Sequence, residues 1–117
     1  MITDVFAKLR EVPGDAFAIL QLPVHHDHCF RSYGDIDGKV DYPSYNFVYR
    51  GSLKKSDMSV MQKLEGLFHI FNVKHPEDFE GHSMSVSDIV VLKLEDKISF
   101  FFCDSWGFTQ LNNVPSE

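Results

Sequence analysis

The stretch from residue 81 to residue 108, GHSMSVSDIVVLKLEDKISFFFCDSWGF, carries the strongest strand signal of the chain. Residues 83–94 first alternate and then become continuously apolar, and residues 98–103 form a second apolar run after Glu95 and Asp96. Two such runs joined by a short polar turn predict a β-hairpin. With the turn at Glu95 and Asp96, the register places Ser87 opposite Asp104 at the open end.

Both faces of this hairpin are apolar in the middle and polar at the open end. The two central pairs on one face are Ile89 with Phe102 and Val91 with Phe100, and the other face has the same character. A strand that is apolar on two faces is typical of the middle of a sheet with layers on both sides. We therefore expect the hairpin to lie centrally in a covered sheet.

The preceding chain predicts two helices and two more strands. Residues 2–9 form a short helix from the spacing of Ile2, Val5, Phe6 and Leu9, with a cap at Thr3 or Asp4 and a stop at residues 13–14. Residues 16–22 (AFAILQL) and 45–49 (YNFVY) have the composition of strands, and residues 107–111 predict a short last strand.

The main helix is predicted to follow a cap at residues 56–57. Its apolar stripe comprises Met61, Leu64, Leu67 or Phe68, and Phe71, and the helix ends at Asn72 or Lys74. Residues 24–44 are irregular, with a short helix or turn at 30–36, and residues 112–117 are expected to fray. The order of elements predicts a single α+β domain over residues 1–117, with a mainly antiparallel sheet of about 4–5 strands, one main helix and a short N-terminal helix.

Composition narrows the class of function. The 117 residues carry a formal charge of −6, which disfavours general affinity for nucleic acid or anionic membranes and is compatible with a basic protein partner. The first residues lack the basic stretch and apolar core typical of a leader peptide, and no apolar run approaches about 20 residues, so we expect neither secretion nor membrane insertion. The two cysteines show no metal-binding spacing. We expect a cytoplasmic protein that folds without a cofactor.

Several segments together resemble the YodL-like domain. They are residues 46–51 (NFVYRG), 71–72 (FN), 75–79 (HPEDF), 81–88 (GHSMSVSD) and 104–108 (DSWGF), and the likeness covers about residues 16–111. The resemblance implies an accessory protein of a bacterial mobile element or phage, with no established catalytic activity. The chain departs from the family after the first strand, where residues 25–31 read HHDHCFR instead of a charged residue and an Arg-Phe pair.

The histidine-rich segment is one candidate for metal chemistry. His25, His26, His28, Asp27 and Cys29 are ligand types for transition metals, and an extended backbone would point His26 and His28 the same way. The spacing matches no zinc motif, and the alternative is a solvated loop. We therefore predict no metal site.

A second candidate chemistry is hydrolysis. The candidate residues could supply a nucleophile, a base and an orienting carboxylate, and the predicted register brings Ser87 opposite Asp104. They are His82, Ser83, Ser87, Asp88, Asp104 and Ser105. No nucleophile elbow accompanies them, and such residues at a sheet end often satisfy backbone groups instead. A hydrolase or metal-dependent nuclease is the alternative function, and we assign no catalytic residue.

The leading hypothesis is a non-enzymatic module that binds another protein, with a host-defence nuclease as one target class. Trp106 is either an exposed recognition aromatic or, as we expect, packed over the sheet end. Carboxylates at residues 35, 37, 41, 77, 78 and 80 would support nucleic-acid mimicry if they share one face. The basic residues Arg50, Lys54 and Lys55 are expected to be solvated. The candidate partner-binding residues are His82, Ser83, Asp88, Asp104, Trp106, Glu77, Asp78 and Glu80.

Overall fold

The computed structural model describes residues 4–117, so the helical position predicted at Ile2 and the cap predicted at Thr3 lie outside the described residues. The elements are α1 (Asp4–Arg10), β1 (Ala16–Gln21), a 3-10 turn (Tyr42–Ser44), β2 (Asn46–Ser52), α2 (Val60–Val73), β3 (Ile89–Leu94), β4 (Lys97–Cys103) and β5 (Phe108–Leu111). The five strands form one antiparallel sheet in the order β2-β1-β3-β4-β5. The predicted α+β class is confirmed.

The β3–β4 hairpin has the register that the sequence predicts. Ile89 pairs with Phe102 and Leu94 pairs with Lys97, and the turn residues Glu95 and Asp96 have φ of +50° and +68°. Two positive φ values are what a two-residue type I′ turn requires. The hairpin lies between β1 and β5, so its predicted central position is also confirmed.

The sheet separates two apolar cores. On one side, here called the α1 face, Val5 and Leu9 of α1 pack with Val91 and Phe102 of the hairpin. On the other side, here called the α2 face, a second cluster comprises Phe17, Leu64, Phe71, Val90 and Phe101. Because successive strand residues point to opposite faces, neighbours such as Val90 and Val91 belong to different cores.

The N-terminal cap of helix α2 lies two to three residues after the predicted cap at residues 56–57. Ser59 is the capping residue: its Oγ accepts a hydrogen bond from Gln62 N at 3.1 Å, and Ser59 N donates to Gln62 Oε1 at 2.9 Å. This capping box satisfies two helix-end groups at once, which residues 56–57 do not do. Met61, predicted to be in the buried stripe, is instead 41% exposed, while the predicted end at Lys74 is confirmed.

The C-terminal residues are not frayed, contrary to the prediction. Val114 packs against the α1 face, and the guanidinium of Arg10 donates hydrogen bonds to the carboxylate of Glu117. The apolar side chain and the ion pair together attach this segment to α1. Within residues 4–117, neither helix has the length and apolar composition needed to cross a bilayer.

Candidate functional site

Most of the predicted site residues lie at one end of the sheet. Three loops, residues 22–45, 81–88 and 104–107, meet where β1 and β4 end and β3 begins. We call this region the loop end. It contains five of the predicted partner-binding residues: His82, Ser83, Asp88, Asp104 and Trp106.

A β-bulge separates the loop end from the regular hairpin. Ser87 N donates to Cys103 O at 2.9 Å, and Cys103 N donates to Asp88 O at 2.7 Å, so two residues oppose one. Ser87 has φ of +85°, and Asp88 N donates to Ser85 O, closing a turn that requires a positive φ at this position. The predicted pairing of Ser87 with Asp104 is wrong because the bulge shifts the register.

Ser87 is used structurally in this bulge. Its Oγ accepts a hydrogen bond from Phe30 N at 3.0 Å, and its carbonyl accepts one from the hydroxyl of Tyr45. The residue is 1% exposed. Ser87 therefore fastens the long loop after β1 to the start of β3, and solvent cannot reach it as a nucleophile.

Asp88 is a buried carboxylate. Its Oδ2 accepts hydrogen bonds from Gln21 Nε2 and Ser85 N, both at 3.0 Å, and the residue is 0% exposed. Burial raises the pKa of Asp88 to about 7, although the hydrogen bonds from Ser85 and Gln21 and the nearby His82 act in the opposite direction. Its Oδ1 has no hydrogen-bond partner among residues 4–117.

Gln21 connects this carboxylate to residues 81–82. Gln21 Nε2 donates to His82 O at 2.8 Å, and His82 N donates to Gln21 Oε1 at 3.2 Å. A side chain at Gly81 would overlap Gln21 Oε1 and approach Phe79 within 2.9 Å, so only glycine permits this contact. Sequence reasoning did not select Gln21, although a lone polar residue within AFAILQL was the available signal.

His82 does not complete a catalytic arrangement. Its Nδ1 lies 2.8 Å from Ser83 O. Because a carbonyl oxygen can only accept a hydrogen bond, Nδ1 carries the proton and donates it. Its Nε2 is buried and has no partner in the described part of the chain. With Ser87 and Asp88 buried, these residues do not form an accessible nucleophile and base.

Asp104 holds the turn between β4 and β5. Its carboxylate accepts hydrogen bonds from Ser105 N at 2.9 Å, Thr109 Oγ1 at 2.9 Å and Tyr33 N at 3.2 Å. Desolvation alone would raise the pKa of Asp104, but these three hydrogen bonds lower it overall. Gly107 at φ +70° completes the turn, and its carbonyl accepts from Asp104 N at 2.9 Å.

Two aromatic side chains project from the loop end. Trp106, at the tip of the turn that Asp104 holds, is 93% exposed, so the expectation that it packs over the sheet is wrong. Phe30 is 55% exposed and has φ of +68°, and its ring centroid lies 5.8 Å from that of His82. The sequence did not predict the exposed position of Phe30, because bulky residues rarely adopt a positive φ.

The predicted acidic residues divide between the two faces of the sheet. Glu77, Asp78 and Glu80 flank Phe79, which packs on the α2 face, and Asp78 accepts a hydrogen bond from the Tyr49 hydroxyl at 3.0 Å. Asp35 and Asp37 flank Ile36, which packs on the α1 face. The two groups therefore lie beside residues that pack on opposite faces of the sheet.

The histidine-rich segment forms turns, and the His26 side chain in it makes two hydrogen bonds. His26 Nδ1 accepts from His28 N at 2.9 Å, so Nε2 carries the proton and donates to Asp41 at 2.9 Å. The His26 and His28 rings lie edge to face, 5.1 Å apart. Residues 4–117 contain no group of three or more His, Cys, Asp or Glu side chains that could hold a metal ion.

Comparison with known proteins identifies one family. The model of the YodL-like domain matches residues 16–113, which include every element from β1 to β5. No curated protein and no solved structure gives a significant match.

Proposed function

The chain belongs to the YodL-like domain family, and we propose that it is a non-enzymatic module that binds another protein through its loop end. The observation that carries this proposal is the 93% exposure of Trp106 on a turn that four hydrogen bonds hold. A large aromatic side chain on a fixed backbone loses little entropy on binding, and tryptophan is enriched among binding hot spots.

The surroundings of Trp106 are suited to a protein contact. A hollow of about 240 Å³ beside the turn is lined by Phe68 and Phe108 together with the polar residues Glu65 and Ser105. Phe30 adds a second exposed aromatic at the same end of the sheet. An apolar centre with polar residues at its edge is the usual composition of a protein interface.

The alternative function, a hydrolase or metal-dependent nuclease, has less support. It would use His82, Asp88 and Asp104, but Asp88 is 0% exposed and the carboxylate of Asp104 already accepts three hydrogen bonds. A catalytic base must reach the proton that it removes, so these positions favour structural roles.

The accessory role in a bacterial mobile element that the family resemblance implies makes a host-defence nuclease one target class for this module, acting in the cytoplasm. The separation of the acidic residues on two faces argues against mimicry of nucleic acid by a single charged surface. Aromatic contacts at the loop end are then the better-supported means of binding.

The test is affinity capture from the native host, followed by binding measurements with the purified partner. We expect Trp106→Ala to weaken the complex by roughly 30-fold or more, as for an aromatic hot spot. Met61→Ala, which removes an apolar side chain 41% exposed on α2, is the matched control and should bind normally. Alanine variants of Asp88 and Asp104 are unsuitable as folded controls, because both carboxylates accept hydrogen bonds from backbone N–H groups of neighbouring segments.

Because Trp106 is the single tryptophan of the chain, its fluorescence should also shift when the partner covers it. Unchanged affinity of the partner for the Trp106→Ala variant, together with unchanged tryptophan emission of the wild-type protein on binding, would exclude the loop end as the binding surface.

A further inference from the structure

A groove that is separate from the loop end runs between α2 and the segment after β2. It has a volume of about 410 Å³, and its apolar lining includes Leu53, Met58, Leu67 and Ile70. A second hollow of about 430 Å³ shares Leu53, Leu67 and Ile70 and continues toward Tyr49 of strand β2. The two hollows form one elongated depression beside the helix.

The groove exposes apolar surface that the fold itself does not use. Met58 is 52% exposed and Ile70 is 45% exposed, whereas Leu67 below them is 5% exposed. Gly66 also lines the groove, and a side chain built there would meet nothing within 4 Å. A glycine inside an exposed helix costs about 1 kcal/mol relative to alanine, and here it keeps the groove open.

The charged residues in the lining of the groove are all lysines. Lys54 and Lys55 are exposed, and Lys63 Nζ donates to Met58 O at 2.6 Å, which ties Met58 to α2. This positive strip lies on a protein with a formal charge of −6. On the far side of Lys55 and Lys63, a further hollow contains Asp57 and Glu95, so carboxylates border the strip at that end.

We propose that this groove binds an acidic amphipathic helix of a protein partner. The apolar face of such a helix would cover Met58, Leu67 and Ile70, and its carboxylates would pair with the lysines. An anionic membrane is the competing ligand of similar chemistry, but a concave groove suits a single helix better than it suits the broad surface of a bilayer. This site is independent of the proposed function of the loop end.

A displayed library of helical peptides tests the proposal without knowledge of the natural partner. Selection against the wild-type protein should enrich peptides with net negative charge and apolar residues at positions i, i+3, i+4 and i+7. Gly66→Leu should abolish their binding, because the new side chain extends into the open space of the groove while leucine favours the helix. Enrichment of basic or unpatterned peptides, or no enrichment, would overturn the proposal.

The lysines provide a second test with the best enriched peptide. Lys54→Glu with Lys55→Glu should weaken binding by about tenfold or more, while reversal of Lys39 and Lys97, two exposed lysines elsewhere, should leave it unchanged. Chemical shift changes in NMR spectra should map to Met58 and Ile70. Shifts at Trp106 instead of the groove, or equal effects of the two reversals, would refute the assignment.

Vesicles of phosphatidylglycerol and phosphatidylcholine distinguish the two sources of negative charge. We expect weak vesicle binding that Gly66→Leu does not alter. Vesicle binding as tight as peptide binding, and lost with Lys54→Glu and Lys55→Glu, would show that the groove binds a membrane surface and not a helix. Since Trp106→Ala leaves the groove intact, loss of loop-end binding and loss of groove binding are separable results.

Discussion

At the scale of single residues, Ser87 occupies a backbone conformation that favours glycine. Its φ of +85° places a Cβ where L-amino acids are strained, yet its hydroxyl accepts a hydrogen bond from Phe30 N. Serine at this position therefore combines local strain with attachment of the loop that carries Phe30. The two contributions can be separated by substitution.

Ser87→Ala should destabilise the protein more than Ser87→Gly. Alanine keeps the strain and loses the acceptor for Phe30 N, which should cost about 1–2 kcal/mol, whereas glycine loses the acceptor but removes about 1 kcal/mol of strain. Unfolding in urea, followed by circular dichroism, measures both variants against wild type. An alanine variant as stable as the glycine variant would show that the backbone at residue 87 is not strained.

The buried carboxylate of Asp88 predicts a pH dependence of stability. Because its folded pKa, about 7, lies above the ordinary value of 3.8, the native protein binds this proton more tightly than the unfolded chain does. The resulting stability is complete below about pH 4 and is lost as the pH rises through about 7, with a loss of at most roughly 4 kcal/mol.

Asp88→Asn should remove this dependence. The asparagine carbonyl can accept from Gln21 Nε2 and Ser85 N as Oδ2 does now, so the variant should equal or exceed wild type in stability at pH 8. Denaturant unfolding from pH 5 to pH 8 is the measurement, repeated in a His82→Gln background because that imidazole is a neighbour. Parallel pH curves for wild type and Asp88→Asn would contradict the raised pKa.

At the scale of elements, Lys93 fixes helix α1 to the sheet. The residue is 3% exposed, and its Nζ donates to Leu9 O at 2.9 Å, in the last turn of α1, and to Val12 O, just after the helix ends. A cation at a helix C-terminus satisfies free carbonyls and opposes the negative end of the helix dipole. The charge thus replaces the missing helical hydrogen-bond donors.

Lys93→Met should lower the free energy of unfolding by about 2 kcal/mol, because it leaves buried carbonyls without a donor while it keeps most of the side-chain volume. Amide exchange should accelerate most in α1, which would then separate from the sheet more often. Lys97→Met, at an exposed position at the start of β4, is the matched control. Equal exchange in α1 for the two variants would show that Lys93 does not hold the helix.

The elements were predictable from sequence where side-chain pattern decided the structure. The polar turn at Glu95 and Asp96 between two apolar runs predicted the β3–β4 register from Ile89 to Leu94. Apolar periodicity predicted the two helices. The start of α2 was missed because Ser56-Asp57 and Ser59 are both good caps, and only Ser59 has Gln62 at the position that completes a capping box.

The loop end was predictable only in part. Sequence placed His82, Asp88 and Asp104 near one another through the hairpin. It did not predict the roles of Gln21, at the end of β1, or of Phe30 and Tyr45, which lie in the long segment between β1 and β2. The bulge at Ser87 had no glycine to indicate it. The exposure of Trp106 depends on whether another element covers the turn, which the local sequence does not specify.

At the scale of the whole molecule, one sheet serves as the wall of both cores. Strands β1, β3 and β4 each contribute side chains to the α1 face and to the α2 face, so neither core can open without loss of support for the other. We therefore expect the two faces to unfold as one cooperative unit, as most small single domains do.

Cys103 can report this cooperativity. The thiol is 3% exposed, and burial, with the nearby charges of Asp88 and Asp104, raises its pKa to about 12, so it should resist alkylation in the native state. Cys29 is the other free thiol and would be replaced by alanine to leave a single reactive site. Alkylation at pH 8 then measures how often Cys103 becomes exposed.

Leu9→Ala, which opens a cavity in the α1 face, should accelerate alkylation of Cys103. The substitution should cost 2–5 kcal/mol, and a loss of about 2 kcal/mol would raise the population of the unfolded state about 30-fold. If the sheet couples both faces, the labelling rate should rise by the factor that denaturant unfolding gives for the same variant. An unchanged labelling rate would mean that the α1 face opens without the strand that carries Cys103. Met61→Ala, at an exposed position, is the control and should leave the labelling rate unchanged.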